Sequence, residues 1–258
     1  MRPVLFEIAG REVFAYGLLV GAGFFCAMWL ASWMTREDGR YPKDFCYSFG
    51  VLMILGGVVG GRLEYVRANP ERFAADWSRV FEVSDGGLVF HGGLILATLL
   101  GALWAWRAKL SVLEVFDVCA VVLPVGMVFG RAGCFLAGCC FGRPSDMPWS
   151  VVFTDPLSRA PLNVALHPTQ LYDLSYCLVL CVGLFWLWHR RPRRGAVTLA
   201  FLSTYPFLRV VNETFRDDPQ RGYFLEDQLG SALTNAQAVF GGAGVLALVL
   251  WVFWLRAK

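Results

Sequence analysis

The chain has 258 residues, of which 57% are hydrophobic, 15% aromatic and 17% charged. Soluble domains carry about 25% charged residues, so this balance, with a mean hydropathy of +0.52, excludes an ordinary soluble domain. The net charge of +3 is too small to point to nucleic acid, which is not expected as a partner.

The apolar residues come in blocks of roughly 20, the length that crosses about 30 Å of hydrocarbon. Residues 1–13 are mixed, with Pro3, Glu7, Arg11 and Glu12, and fit a short interfacial segment. No small-residue cleavage site follows an early apolar run, so the first span is expected to serve for targeting. That span covers Val13 to Met34 and opens with Tyr16-Gly17. A loop with Arg36, Arg40 and Lys43 leads to a second span, Phe45 to Val66, which places Arg62 and Glu64 at or just inside its boundary. The loop from Arg67 to Gly86 has both charge signs and an amphipathic pattern that suits an interface.

The third span runs from Gly87 to Arg107. His91 stands near its start, followed by Gly92 and Gly93, which are expected to leave space beside the imidazole. A lone histidine on an apolar segment is either a satisfied polar group or a catalytic one, and both readings stand. The fourth span starts at Leu113 and ends in F-G-R-A-G-C-F-L-A-G-C-C-F-G-R-P, residues 129–144. An ionisable residue at membrane depth is costly and marks a functional site by default, which singles out Arg131. The competing reading is a glycine-rich packing face with one snorkelling arginine.

The segment from Gly142 to His167 is polar and rich in proline, yet aromatics and valines recur in it, so an ordered loop or small head is expected. Thr169 is placed as the N-cap of a fifth span, Gln170 to Trp188. The sixth, Ala196 to Phe215, carries Tyr205, Pro206, Arg209, Asn212 and Glu213. Arg209 and Glu213 are four apart and share one helix face, and Pro206 implies a kink. A polar loop, Asp217 to Leu229, precedes a seventh span, Asn235 to Leu255. The fold class is therefore all-α: a polytopic membrane protein of seven transmembrane helices, one domain over residues 1–258.

Lysine and arginine concentrate after spans one, three and five (36/40/43, 107/109, 190/191/193/194) and at the C-terminus. The positive-inside rule then puts the C-terminus in the cytoplasm and the N-terminus outside. The ordered loop after span four is extracytoplasmic. Arg62, His91, Arg131, Arg143, His167, Arg209, Glu213 and Arg216 gather toward the outer half. Arginines at that depth suit an anionic group such as a lipid phosphate, held by paired hydrogen bonds. The alternative, helix-end anchors, accounts for Arg62 and Arg216 more easily than for Arg131 and Arg209.

Most of the eight cysteines fall in apolar runs, where a thiol packs as a small hydrophobe. The vicinal pair Cys139–Cys140 has no C-x-x-C partner, so no metal site is expected.

The chain resembles the prolipoprotein diacylglyceryl transferase family of bacterial inner membranes. The matching blocks are Y-G-L-L (16–19), G-G-R-L-E-Y (60–65), F-H-G-G-L-I (90–95), G-R-A-G-C-F (130–135) with F-G-R-P (141–144), P-W-S-V-V-F (148–153), H-P-T-Q-L-Y (167–172) and Y-P-F-L-R-V-V-N-E-T-F-R (205–216). They occur in the family's order and cover most of the chain. The resemblance implies transfer of a diacylglyceryl group from phosphatidylglycerol to the thiol of the lipobox cysteine in a prolipoprotein signal peptide, with release of glycerol phosphate. It implies no cofactor. By match to its motifs, Tyr16, His91, Arg131, Gly142, Arg209 and Glu213 carry over as functional positions. Arg131 and Arg209 are cast as phosphate ligands, Glu213 as the group that orients Arg209, and His91 as base or headgroup contact. Arg62, Arg143, His167, Tyr205 and Arg216 complete the substrate-binding set. The location implied is the bacterial inner membrane, multi-pass, among membrane lipids, with the active site toward the outer leaflet.

One block departs from the family's pattern. The family commonly reads G-R-x-x-N-F-x-N-G-E there; this chain has Cys134, Ala137 and Cys139 in place of two asparagines and the glutamate. The change leaves open a paralogue with another lipid donor or acceptor. A non-catalytic lipid-binding or transport protein is the reading from a different class.

Overall fold

The computed structural model describes residues 2–8, 10–74, 76–82, 87–217 and 234–256. Seven helices account for most of them: α1 (Ala15–Thr35), α2 (Phe45–Ala68), α3 (Phe90–Arg107), α4 (Val112–Ala137), α5 (Thr169–His189), α6 (Ala196–Glu213) and α7 (Asn235–Arg256). α1, α2, α4 and α5 are long and apolar enough to cross a membrane. The expected polar loop lies, after Asp217, largely outside the described residues, as does Lys258.

The chain divides into two compact units. One comprises Met1–Leu30 and Phe116–Lys258, the other Ala31–Val115. In the first unit the expected interfacial segment is a β-hairpin. β1 (Val4–Ile8) and β2 (Arg11–Phe14) are antiparallel, with Phe6 opposite Val13 and Ile8 opposite Arg11. Gly10 takes the left-handed turn position at φ +76°. The hairpin feeds α1 through a 2.8 Å bond from the Ala15 amide to the Pro3 carbonyl.

α1 meets α4 where side chains are missing. A Cβ on Gly23 would lie 2.7 Å from Phe129 Cβ, and one on Gly133 would lie 3.1 Å from Tyr16 Cα. α4 then closes with a Schellman motif. The Cys139 amide bonds the Cys134 carbonyl at 3.1 Å and the Gly138 amide bonds the Phe135 carbonyl at 3.3 Å, with Gly138 left-handed.

The proline-rich segment after α4 is ordered. β3 (Val151–Val152) pairs antiparallel with β4 (Ala165–Leu166). Phe153, Ala160 and Leu166 are buried in a satellite core, with Phe135, Phe141, Val151 and Val164 packed around them. Thr169 is not the N-cap of α5. Pro168 holds that position, and the Thr169 hydroxyl instead donates to the Cys140 carbonyl at 2.7 Å. α6 is started by a different device. The Asp117 carboxylate, on α4, accepts from the Gly195 amide (2.6 Å), the Thr198 amide (2.8 Å) and the Thr198 hydroxyl (2.8 Å). It satisfies donors that the first turn of a helix leaves free.

In the second unit α2 and α3 pack through glycines. A Cβ on Gly60 would lie 2.3 Å from the Gly92 carbonyl oxygen. One on Gly93 would lie 2.6 Å from that of Gly57, and one on Gly56 would lie 2.7 Å from Ala97 Cα. Residues four apart on α2 thus form a small-residue stripe that lets the backbones touch. At the other end of the pair Phe45, Phe49 and Trp104 stack with centroids 5.6–5.7 Å apart.

Candidate functional site

The first unit gathers the buried charges. Arg131 sits in the last two turns of α4, and its Nε lies 3.0 Å from Asp173 Oδ2 on α5. Only 2% of the Asp173 side chain is exposed. A guanidinium is always ionised, and a partner so deeply buried keeps it from snorkelling freely. On α6, Arg209 Nη1 lies 2.5 Å from Glu213 Oε2, and the same oxygen takes Arg216 Nη1 at 3.4 Å. The Arg209 and Glu213 side chains are 5% and 0% exposed. Among the described residues, three guanidiniums thus meet two carboxylates.

Polar links fix these helices around the segment that follows α4. Gln170 Nε2 donates to the Cys139 carbonyl at 2.8 Å, and Asn212 Nδ2 to the Thr169 carbonyl at 3.0 Å. Among the described residues, Gln170 Oε1, Asn212 Oδ1 and Glu213 Oε1 are buried without a hydrogen-bond partner. A buried polar atom without a partner is costly, and such atoms beside fixed guanidiniums mark a site built to receive another polar group.

Gly142 is at the crossing of three backbones. Its amide bonds the His167 carbonyl at 3.0 Å, the Arg143 amide bonds the Phe215 carbonyl at 2.9 Å, and the His167 amide bonds the Arg143 carbonyl at 3.0 Å. A Cβ here would come within 2.6 Å of both the His167 carbonyl oxygen and His167 Cβ. The glycine is therefore required by close approach. Arg143 is exposed, with its guanidinium over the Phe215 ring at 5.7 Å.

His167 Nδ1 lies 3.0 Å from the Tyr172 hydroxyl, which accepts from Trp149 Nε1 at 2.8 Å. The indole can only donate, so the phenol's own proton is available to His167 Nδ1. Burial, and then the charge of Arg143, hold the His167 pKa below the usual imidazole value. His167 is thus a neutral acceptor. Tyr205 is buried on α6 among Phe201 (5.4 Å), Phe240 (5.9 Å) and Tyr176 (6.0 Å). Tyr16 is half exposed and packs over Gly133, two residues after Arg131.

The second unit holds Arg62 and His91. Arg62 is buried, and its guanidinium donates to the carbonyls of Val80, Gly87, Arg79 and Glu82 at 2.6–3.2 Å. It stands over the rings of Tyr65 and Phe73 at 5.4 Å each. In this conformation it folds the α2–α3 loop. His91 is the second residue of α3, and its ring is exposed. The glycines after it do not leave space beside the imidazole, as the sequence suggested. They receive the backbone of α2, with Gly92 against Gly60 and Gly93 against Gly57.

Comparison with known proteins decides the family. A family profile described as prolipoprotein diacylglyceryl transferase matches residues 3–254. The chain belongs to this family. Among relatives named phosphatidylglycerol–prolipoprotein diacylglyceryl transferase, the one from Aeromonas hydrophila is 34% identical over 99% of this chain and 92% of its own length. That from Pseudoalteromonas translucida is 33% identical over 97% and 92%. That from Clostridium tetani is 31% identical over 85% and 87%.

Sequence reasoning missed Asp173, Gln170 and Asp117, all of them in helices long and apolar enough to span a membrane. The rule that selects Arg131 selects Asp173 and Asp117 as well. It also missed that this transferase-family member gathers Cys134, Cys139 and Cys140. Their sulfurs all lie within 4.8 Å of one another, because the Schellman motif turns Cys139 back over Cys134.

Proposed function

We propose that this chain transfers a diacylglyceryl group from phosphatidylglycerol to the lipobox cysteine thiol of prolipoproteins, as its relatives' names state for the donor and the reaction. The observation that carries the reading to these residues is the buried cluster of Arg131–Asp173 and Arg209–Glu213–Arg216. It offers fixed guanidinium donors to one phosphate. The substrate thiolate attacks the glyceryl carbon, the C–O bond breaks, and its electron pair leaves with the phosphate as glycerol phosphate. Guanidiniums held in place beforehand stabilise the charge that grows on that leaving oxygen. Glu213 keeps Arg209 extended along α6, and Asp173 does the same for Arg131. Gly142, Arg143, His167, Tyr205 and Tyr16 shape the donor's surroundings, and Arg62 acts as a positioning residue. His91 is the resemblance's candidate for taking the thiol proton.

The same reading places the chain in the bacterial inner membrane as one domain of seven spans, N-terminus outside and C-terminus cytoplasmic. The ordered segment after α4 and the arginine cluster then face the outer leaflet, where the lipobox and other membrane lipids are met. Support comes from four helices of spanning length and from the loop charges. A second reading keeps the fold and changes the donor or acceptor lipid. It is favoured by Cys134, Ala137 and Cys139 standing where the family commonly has two amides and a carboxylate.

The test is transfer by purified protein in detergent, given labelled phosphatidylglycerol and a lipobox peptide. Thioether-linked product and free glycerol phosphate, both lost in Arg131→Ala, are expected. Lipid binding without release of glycerol phosphate would favour the non-catalytic reading. Activity with other lipids alone would favour the second.

A further inference from the structure

We propose that Cys134, Cys139 and Cys140 form a three-thiolate site for a soft d10 metal ion, Cu(I) or Zn(II). The three sulfurs lie within 4.8 Å of one another. Metal–sulfur bonds of about 2.3 Å place sulfurs about 3.8–4.0 Å apart, so closing on an ion needs only a small contraction. Soft thiolate sets select these ions over harder ones.

Packing explains two of the three positions. A Schellman motif brings its C″ side chain against C3, and here those are Cys139 and Cys134. It does not explain Cys140. That residue is left-handed at φ +58°, a conformation non-glycine residues adopt at a cost and that clusters at functional sites. Cysteine is not among the residues that tolerate it readily. The strained turn puts the third thiol beside the other two.

The cradle is held from outside. The Cys139 and Cys140 carbonyls accept from Gln170 and Thr169 at 2.8 and 2.7 Å, and those two side chains are 0% and 1% exposed. Arg131 and Arg216 lie near Cys140, and Arg159 lies near Cys139. Three thiolates around a monovalent or divalent cation carry net negative charge, which these guanidiniums offset. Binding releases the thiol protons to solvent and changes no oxidation state. The bound ion would pin the end of α4 to the segment that carries Gly142 and Arg143. The inference needs no transferase activity, and its test reads none.

The full chain in detergent, reduced and stripped with a chelator under anaerobic conditions, is given Zn(II) or Cu(I) in separate arms. Cd(II) serves as a spectroscopic probe. One equivalent per chain is expected to produce a thiolate-to-metal charge-transfer band. It should also shield three of the eight thiols from a thiol reagent. Cys140→Ser and Cys139→Ser should weaken binding by more than the roughly 10–100-fold typical of outer-shell changes, with thermal melting showing that both fold. Cys26→Ser and Cys181→Ser should leave it unchanged. Whichever ion is retained against the weaker chelator identifies the metal. Shielding that survives Cys140→Ser, binding absent in both arms, or a disulfide joining two of the three in protein isolated without oxidant would each overturn the site.

Discussion

Glu213→Gln is the sharpest test of how the cluster is built. Glu213 Oε2 faces Arg209 at 2.5 Å and Arg216 at 3.4 Å, and its side chain is 0% exposed. At an effective dielectric constant of about 20, the shorter pair attracts by roughly 6–7 kcal/mol before desolvation is counted. Desolvation cancels much of that. Removing one partner of a buried pair costs about 3–5 kcal/mol because the other charge is left alone. Glutamine keeps an oxygen acceptor, so the loss should fall near the lower end, about 3 kcal/mol. For a chain of this size, about 2–4 °C of melting temperature per kcal/mol converts that to roughly 6–12 °C, read by thermal melting in detergent. Transfer should fall as well. The double variant Arg209→Met/Glu213→Leu removes the shorter pair whole but takes Glu213 away from Arg216. It should recover part of the lost melting temperature, since replacing a whole buried pair costs less than breaking one, yet stay inactive. A Glu213→Gln protein that melts with the parent would refute the reasoning. So would a double variant that is folded and fully active.

Three further outcomes follow from the same geometry. Gly142→Ala should cost about 1–3 kcal/mol, the usual penalty for overpacking, seen as earlier melting and weaker donor binding, since its Cβ would lie 2.6 Å from the His167 carbonyl. Asp117→Ala removes three hydrogen bonds at the start of α6 and should cost about 1–2 kcal/mol as a lost cap; hydrogen exchange should rise first at Gly195 and Thr198. His167 is held neutral by burial and by Arg143. The unfolded chain therefore binds a proton first as pH falls through about 6.5, so stability is complete above that value and declines below it. His167→Gln should flatten that slope, and an unchanged slope would assign it to other groups.

The helices were legible because about 20 apolar residues in a row leave the backbone few alternatives, and predicted and observed limits differ by a few residues. The N-terminal hairpin was not. Its two strands are short, and the signal, Gly10 between stretches that alternate in part, is weak beside an apolar span. The partner of Arg131 was less legible than Arg131 itself. Arg131 was singled out for its depth, while Asp173 sat in the next apolar run under the same rule. A buried cation requires an anion, and the only question is which one. Pairing could not be read from sequence spacing, because α4 and α5 are joined by a long ordered segment. Arg209 and Glu213 could, since four residues bring them to one face.

The glycines show why residue type alone misleads near a functional motif. F-H-G-G reads as room for an imidazole, but Gly92 and Gly93 are occupied by the backbone of α2. The constraint is mutual, because Gly60 and Gly56 receive α3 in turn. A Cβ at Gly92, Gly93 or Gly60 would push the two helices apart, and His91 with them. The G-G-R-L-E-Y and F-H-G-G-L-I blocks are therefore two halves of one contact. Gly60→Ala should impair whatever His91 does without touching its ring, and a compensating change on α3 cannot be a larger residue. By the same reasoning Arg62, two residues after Gly60, is positioned by that contact to fold the loop between the helices.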